Sequence, residues 1–144
     1  AESMALAIQV GQQLESQGHL REAASQYDRA LAIDPNRPKL IHHLAVVHDR
    51  LGEYKAARDL YARAKALKPG TTEIDVDVAF SHYLSGEYDE SIRLGRTIVE
   101  AHPEQARAWN NLGLALAQKG SLDEAREAFR RASISSARGL EKIR

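Results

Sequence analysis

Glycine and proline recur in this chain at one fixed interval. Pro35, Pro69 and Pro103 stand 34 residues apart, and so do Gly18, Gly52, Gly86 and Gly120. A glycine just past a helix end takes the left-handed backbone that closes the last turn, and a proline stops the next helix by removing an amide donor. Two independent stops at one period divide the chain into four copies of a two-helix unit. A unit that short cannot bury its apolar face alone, so copies of it must stack on one another.

The copy from Ala106 to Ala132 is the clearest. Trp109, Leu112 and Leu116, then Leu122, Ala125, Phe129 and Ala132, recur every three or four residues and so share one face of each helix. Gly120 separates the helices. Ser121 and Glu124 have the spacing of a capping box for the second helix. Gly113 and Ala125 supply small side chains where two helices cross closely.

Sliding this pattern back along the chain finds small residues at Gly11, Ala45, Ala79 and Gly113, and again at Ala23, Ala57, Ser91 and Ala125. Aromatics fall at Tyr27, Tyr61 and Phe129. Trp, Leu-Gly, Ala, Phe/Tyr, Ala and Pro at these offsets resemble the tetratricopeptide repeat. The resemblance covers repeats 4–37, 38–71, 72–105 and 106–139, nearly the whole chain. It implies an all-α fold, an α-solenoid of antiparallel helix-turn-helix hairpins wound as a right-handed superhelix, forming one domain over residues 1–144.

Three places strain the pattern. Asp34-Pro35-Asn36-Arg37-Pro38 stops one helix and restarts another, with Asn36 as the expected N-cap and Pro38 in the first turn. Ile74-Asp-Val-Asp-Val78 alternates like a strand, but Pro69 and Gly86 hold the helical register around it. In the same repeat Gly95 replaces the aromatic and Ile98 replaces the alanine, a swap that roughly conserves volume; repeat three is therefore expected to be the most deformable. Past Ala132 the pattern fades. Ala137 stands where proline is expected, the run to Gly139 reads as a helix end, and Leu140 and Ile143 suit a further repeat, a capping helix or a tail.

Composition narrows the function classes. Twenty basic residues balance twenty acidic ones, so no net field recruits nucleic acid or an anionic membrane. There is no cysteine, which excludes disulfides and thiolate metal sites. No apolar run approaches the roughly 18 residues that cross a bilayer. No basic-then-apolar leader follows Ala1, a start that reads as that of a processed fragment, and a soluble protein is expected, with the cytoplasm favoured.

The resemblance places the first helix of each repeat along an inner groove. Its lining would be Ile8, Gln9 and Gln12; Lys39, His42, His43, Val46 and Arg50; Glu73, Val76, Asp77, Phe80 and Leu84; and Arg107, Asn110, Asn111 and Leu114. Side-chain amides that pair with a backbone, beside apolar anchors such as Val46, Phe80 and Leu114, suit an extended peptide or a partner helix. The family's carboxylate clamp for chaperone tails is not expected, because no register supplies its basic and asparagine cluster and Asp77 would repel a carboxylate.

His42, His43 and His48 do not share a helical face at i, i+3 or i+4, so no metal site is expected from them. His48 and His82 fall where the family packs an aromatic between paired helices. Glu73 to Asp77 lacks the third acid and the glycine of a calcium loop. With no phosphate loop and no marked nucleophile, the expectation is no enzyme and no cofactor. The reading is thus a protein-interaction scaffold binding a protein or peptide ligand; the alternatives are a self-associating scaffold, or a recruiting or regulatory arm of a larger enzyme or assembly.

Overall fold

The computed structural model describes the backbone of residues 2–143 and the side chains of residues 3–138, and among these it contains eight helices and no strand. They are α1 (Glu2–Ser16), α2 (Leu20–Ile33), α3 (Pro38–Arg50), α4 (Tyr54–Leu67), α5 (Thr72–Leu84), α6 (Tyr88–Ala101), α7 (Ala106–Gln118) and α8 (Leu122–Ile143). None is long and apolar enough to cross a membrane.

The repeating glycines do what their spacing predicts. Gly18, Gly52, Gly86 and Gly120 all have φ near +80°, between 78° and 81°. A Cβ at any of them would meet nothing within 4 Å, so backbone conformation and not crowding demands glycine there. The residue after each glycine donates back into the helix just ended: His19 to the Leu14 carbonyl, Glu53 to His48, Glu87 to His82 and Ser121 to Leu116, at 2.8 to 3.0 Å. This is a Schellman closure repeated four times.

Helix starts depart from the sequence reading. α3 begins after Arg37, not Asn36, and without a side-chain cap; the Asn36 amide donates to Asp34 Oδ1 at 3.1 Å instead. The Ser121 amide, which Glu124 would satisfy in the expected capping box, donates to the Leu116 carbonyl at 3.0 Å, and Glu124 instead meets Arg96 of α6 at 2.8 Å. Glycine closures and packing fix these boundaries, so caps become dispensable. The strand-like run Ile74–Val78 lies inside α5. Ile74 and Val76, two residues apart, are both buried, which means that α5 is covered on opposite sides. At the other end α8 continues through Ala137 and Gly139 to Ile143, so the expected stop near Gly139 does not occur. The side chains of Leu140 and Ile143 lie outside the described residues.

The chain divides into two compact units, Ala1–Ile74 and Asp75–Arg144. In the first, α1 pairs with α2, α3 with α4, and α3 packs on α2. Tyr27 and Tyr61 are fully buried where second helices cross first ones. Gly11 is required at one crossing: a Cβ there would sit 2.6 Å from the Tyr27 ring. In the second unit α6 packs on α7 and α7 on α8, and Ser91 Oγ donates to the Ala79 carbonyl of α5 at 2.8 Å. Gly113 lies against Phe129 as Gly11 lies against Tyr27, again 2.6 Å from contact with a Cβ. Gly95 differs. Leu112 of α7 fills its space, 3.3 Å from where a Cβ would stand, while Ile98 is buried separately. The volume missing at Gly95 is thus made up by the next hairpin more directly than by Ile98.

Candidate functional site

In the first unit, α1 and α3 carry the residues read as groove lining. Gln9 and Gln12 are exposed, and His42, His43 and Val46 are half-buried. His42 lies edge-on to Tyr61 with ring centroids 5.8 Å apart, and His43 edge-on to Tyr27 at 5.4 Å. What joins His43 to Tyr27 and Arg50 is a residue that the sequence reading left out. Glu15 accepts a hydrogen bond from Tyr27 Oη at 2.7 Å, sits 2.6 Å from His43 Nε2 and lies 3.5 Å from Arg50 Nη1. Burial pushes the Glu15 carboxyl up, but the Tyr27 and His43 hydrogen bonds with the His43 and Arg50 charges outweigh it and hold it below its ordinary value. Burial and Glu15 together push the Tyr27 hydroxyl well above the phenol range.

Asp49 and Tyr61 repeat this arrangement one hairpin later, with Tyr61 Oη donating to Asp49 Oδ2 at 2.8 Å and Asp49 only 6% exposed. The signal was present in the sequence: an acid twelve residues before each tyrosine, at Glu15/Tyr27 and Asp49/Tyr61. His48 and its counterpart His82 in the second unit pack between paired helices and face the acid of the following turn, Glu53 at 3.1 Å and Glu87 at 3.4 Å. Among the described residues no group of three or more histidines or acids is placed to hold a metal ion.

In the second unit, Asp77 of α5 is ion-paired with Arg107 of α7. Phe80 stacks on Tyr83 at 5.6 Å, and Tyr83 lies 5.7 Å from Tyr88, a cluster of rings that the sequence reading knew only through Phe80. Val76, read as groove lining, is fully buried and belongs to the core with Ala108 and Leu112. Asn110 is exposed and Leu114 half-buried. Asn111 is 9% exposed, and its buried Nδ2 has no hydrogen-bond partner. Arg107, Asn110 and Asn111 are brought together on one wall of an open cleft of about 700 Å³ whose other wall is α8; Asp77, Phe80 and Leu114 lie outside it.

A second cleft, of about 590 Å³, opens between α6, α7 and α8. Trp109 forms part of its wall, donating Nε1–H to the Pro103 carbonyl at 2.8 Å under the Arg131 guanidinium, 5.2 Å from the ring centre. Trp109 therefore packs against the end of the preceding repeat. Hydrogen bonds from Arg130 and Arg131 hold the Glu127 carboxyl down to about 2, and the bond from Arg131 Nε, at 3.0 Å, ties that side chain to Glu127.

Comparison with known proteins agrees with this architecture. Two models of the tetratricopeptide repeat match residues 14–75 and 81–138. The peroxisomal targeting signal receptor of Komagataella phaffii is 34% identical over 81 residues, which are 54% of this chain but only 14% of the receptor. The photosystem I assembly protein Ycf3 of Synechococcus elongatus is 26% identical over 116 residues, 78% of this chain and 66% of that protein. Among solved structures, MamA from Desulfovibrio magneticus RS-1 superposes with a TM-score of 0.78 at 21% identity, over 94% of this chain and 76% of that one. PilF of Pseudomonas aeruginosa gives 0.74 at 26% identity, over 93% and 61%. These likenesses show an α-solenoid of helical hairpins, and with the two family matches together spanning most of the chain, the chain belongs to the tetratricopeptide repeat family.

Proposed function

We propose that this chain is a protein-interaction scaffold that takes an extended peptide or a partner helix along the inner faces of its first helices, and that it performs no catalysis of its own. The observation that carries this reading is the composition of those faces. In the first unit Gln9 and Gln12 are exposed amides and Val46 is a half-buried apolar side chain; in the second, Asn110 is an exposed amide and Phe80 and Leu114 are half-buried. Amides pair with a ligand's backbone while apolar groups bury its anchors, a division of labour suited to peptides. The names of the relatives, a targeting-signal receptor and an assembly protein, point the same way. The balance of twenty basic and twenty acidic residues favours protein over nucleic acid as the ligand.

A free C-terminal carboxylate is a poor ligand for this surface. Arg107 is paired with Asp77, and Arg50 and His43 both meet Glu15, so these groups of the inner faces already face carboxylates of the chain. Affinity capture of partners by the wild type, compared with Phe80→Ala and Leu114→Ala, tests the reading. Both variants keep the helical circular dichroism and lose the captured partner by tenfold or more. If they retain it while Arg96→Ala on a second helix loses it, the ligand lies on the opposite face.

A further inference from the structure

The cleft between α6, α7 and α8 has a counterpart two repeats earlier that is built from different side chains. There Ile41 and Leu44 stand at the register of Trp109 and Leu112 and are fully buried, and Leu60 of α4 stands at that of Ala128. Arg63 donates to the Pro35 carbonyl at 2.9 Å. In the second unit the Trp109 indole takes the matching carbonyl, of Pro103, and Arg131, the counterpart of Arg63, lies over the ring. Leu116 also replaces His48 in the lining. A larger residue on α7 facing a smaller one on α8 leaves the indole half-buried in the wall of a cleft of about 590 Å³.

Size, charge and position together specify an occupant. Past Arg96, Glu100 and Leu116 the cleft runs on into a second hollow of about 520 Å³, between α6 and the turn at Lys119 and Ser121, which gives room for a segment of chain and not for one side chain only. Its charges lie at the edge. Arg96 is paired with Glu124, Lys119 with Asp89, and Arg130 and Arg131 with Glu127. Glu100, exposed and standing where the first unit has Ala32, enters none of these pairs. The cations of the edge thus already face carboxylates, while one carboxylate is left for a cation of the ligand. The repeat stack itself does not fill this place. A first helix following α8 would stand to α8 as α7 stands to α6, where Leu112 packs at Gly95 and is buried in one cluster with Val99. That register of α8 holds Phe129 and Ser133, and neither lines this cleft.

We propose that this cleft docks a segment of a partner protein that carries apolar side chains beside a lysine or arginine. The apolar groups cover Trp109, Leu112 and Leu116, and the cation reaches Glu100 with its stem along the wall. The site goes beyond the inner-face reading, because its walls are the second helices α6 and α8. The floor supplies affinity. The acid selects basic over acidic segments, since an exposed ion pair adds little by itself but a like charge is turned away.

Trp109 is the chain's only tryptophan and stands in the cleft wall, so its fluorescence reads occupancy at the site itself. The probes are two unlabelled peptides titrated into the whole chain at low salt: acetyl-Gly-Lys-Leu-Phe-Lys-Gly-amide, and the same peptide with glutamate for both lysines. The lysine peptide is expected to change the Trp109 emission saturably and to bind tighter than the glutamate peptide by about fivefold, a ratio that shrinks as salt is raised. Glu100→Arg reverses the preference. Ala128→Leu, which restores the residue of the first unit, lowers affinity by about tenfold, and the exposed Glu100→Arg carries the test should Ala128→Leu disturb the circular dichroism. No saturable change with either peptide, equal affinity for the two, or a preference unmoved by Glu100→Arg overturns the proposal. So does sedimentation that shows the wild type as a dimer which Ala128→Leu separates, because the occupant would then be a second copy. Partner capture indifferent to Phe80→Ala and Leu114→Ala beside an intact Trp109 response refutes the inner-face reading alone, and the reverse result refutes this site alone.

Discussion

In the first unit the aromatic that crosses from a second helix carries a hydroxyl, and the first helix meets it with a carboxylate: Tyr27 with Glu15, Tyr61 with Asp49. The second unit has neither half of this pair. Its last hairpin places Phe129 opposite Ala117, and its first has Gly95 opposite Tyr83, with the rings moved onto α5 and stacked as Phe80 and Tyr83. A buried hydroxyl needs an acceptor and a buried carboxylate needs a donor, so the two must be present or absent together. The first unit is therefore specified by hydrogen-bond pairing and the second by volume. The hub around Glu15 follows from the same choice, because the carboxylate that answers Tyr27 is also within reach of His43 and Arg50.

Breaking one half of a pair is expected to give the largest effect. Tyr61→Phe leaves the nearly buried Asp49 one donor short and should cost about 2 kcal/mol in urea unfolding followed by circular dichroism. The opposite change, Phe129→Tyr, should cost less than about 1 kcal/mol, because that ring is only half-buried. Adding Ala117→Glu to Phe129→Tyr transplants the pair, and should leave the double variant more stable than Phe129→Tyr alone. Trp109, the only tryptophan, lies in the second unit, so its fluorescence reports that unit while circular dichroism reports both.

Steric contrast gives the next effect. Gly11→Ala pushes a methyl into the fully buried Tyr27 ring and is expected to destabilise by about 1 to 2 kcal/mol, overpacking outweighing the gain in helix propensity. Gly95→Ala meets Leu112 at 3.3 Å, a contact that yields by a few tenths of an ångström, and should fall within about 0.5 kcal/mol of wild type or stabilise. Equal losses from both would mean that the Gly95 crossing is as rigidly packed as the tyrosine one.

The smallest effect is on pH dependence. The Glu15 carboxyl is held below its ordinary value in the folded chain, so the stability it adds is fully present above that value and is lost as pH falls through its lowered one. Glu15→Gln should flatten the dependence of stability on pH below about 4.3. An unchanged slope in the Glu15 variant would separate this carboxylate from acid stability.

Most of the fold was legible in the sequence, because glycine and proline act locally: a positive φ after each first helix and a missing amide after each second one fix the boundaries whatever packs around them. The expected caps fail for different reasons: Arg37, and not Asn36, flanks the first turn of α3, and the Glu124 carboxylate pairs with Arg96.

The candidate site was legible only in part. The family register put Asn110 on the surface and Phe80 at a position that is half-buried, yet it also put Val76 and Asn111 on the surface, and both are buried. It also passed over Glu15, because nothing local to α1 says that Tyr27, His43 and Arg50 converge on it.

The amino-acid sequence alone determined the period, the helices, their turns and the family, all of which rest on interactions spanning a few residues. Tertiary structure decided which acids are paired, that Leu112 fills the space at Gly95, and that Asn111 faces an open cleft with an unused donor. Those outcomes depend on groups far apart in the chain, so distance and burial, and not residue type, settle them.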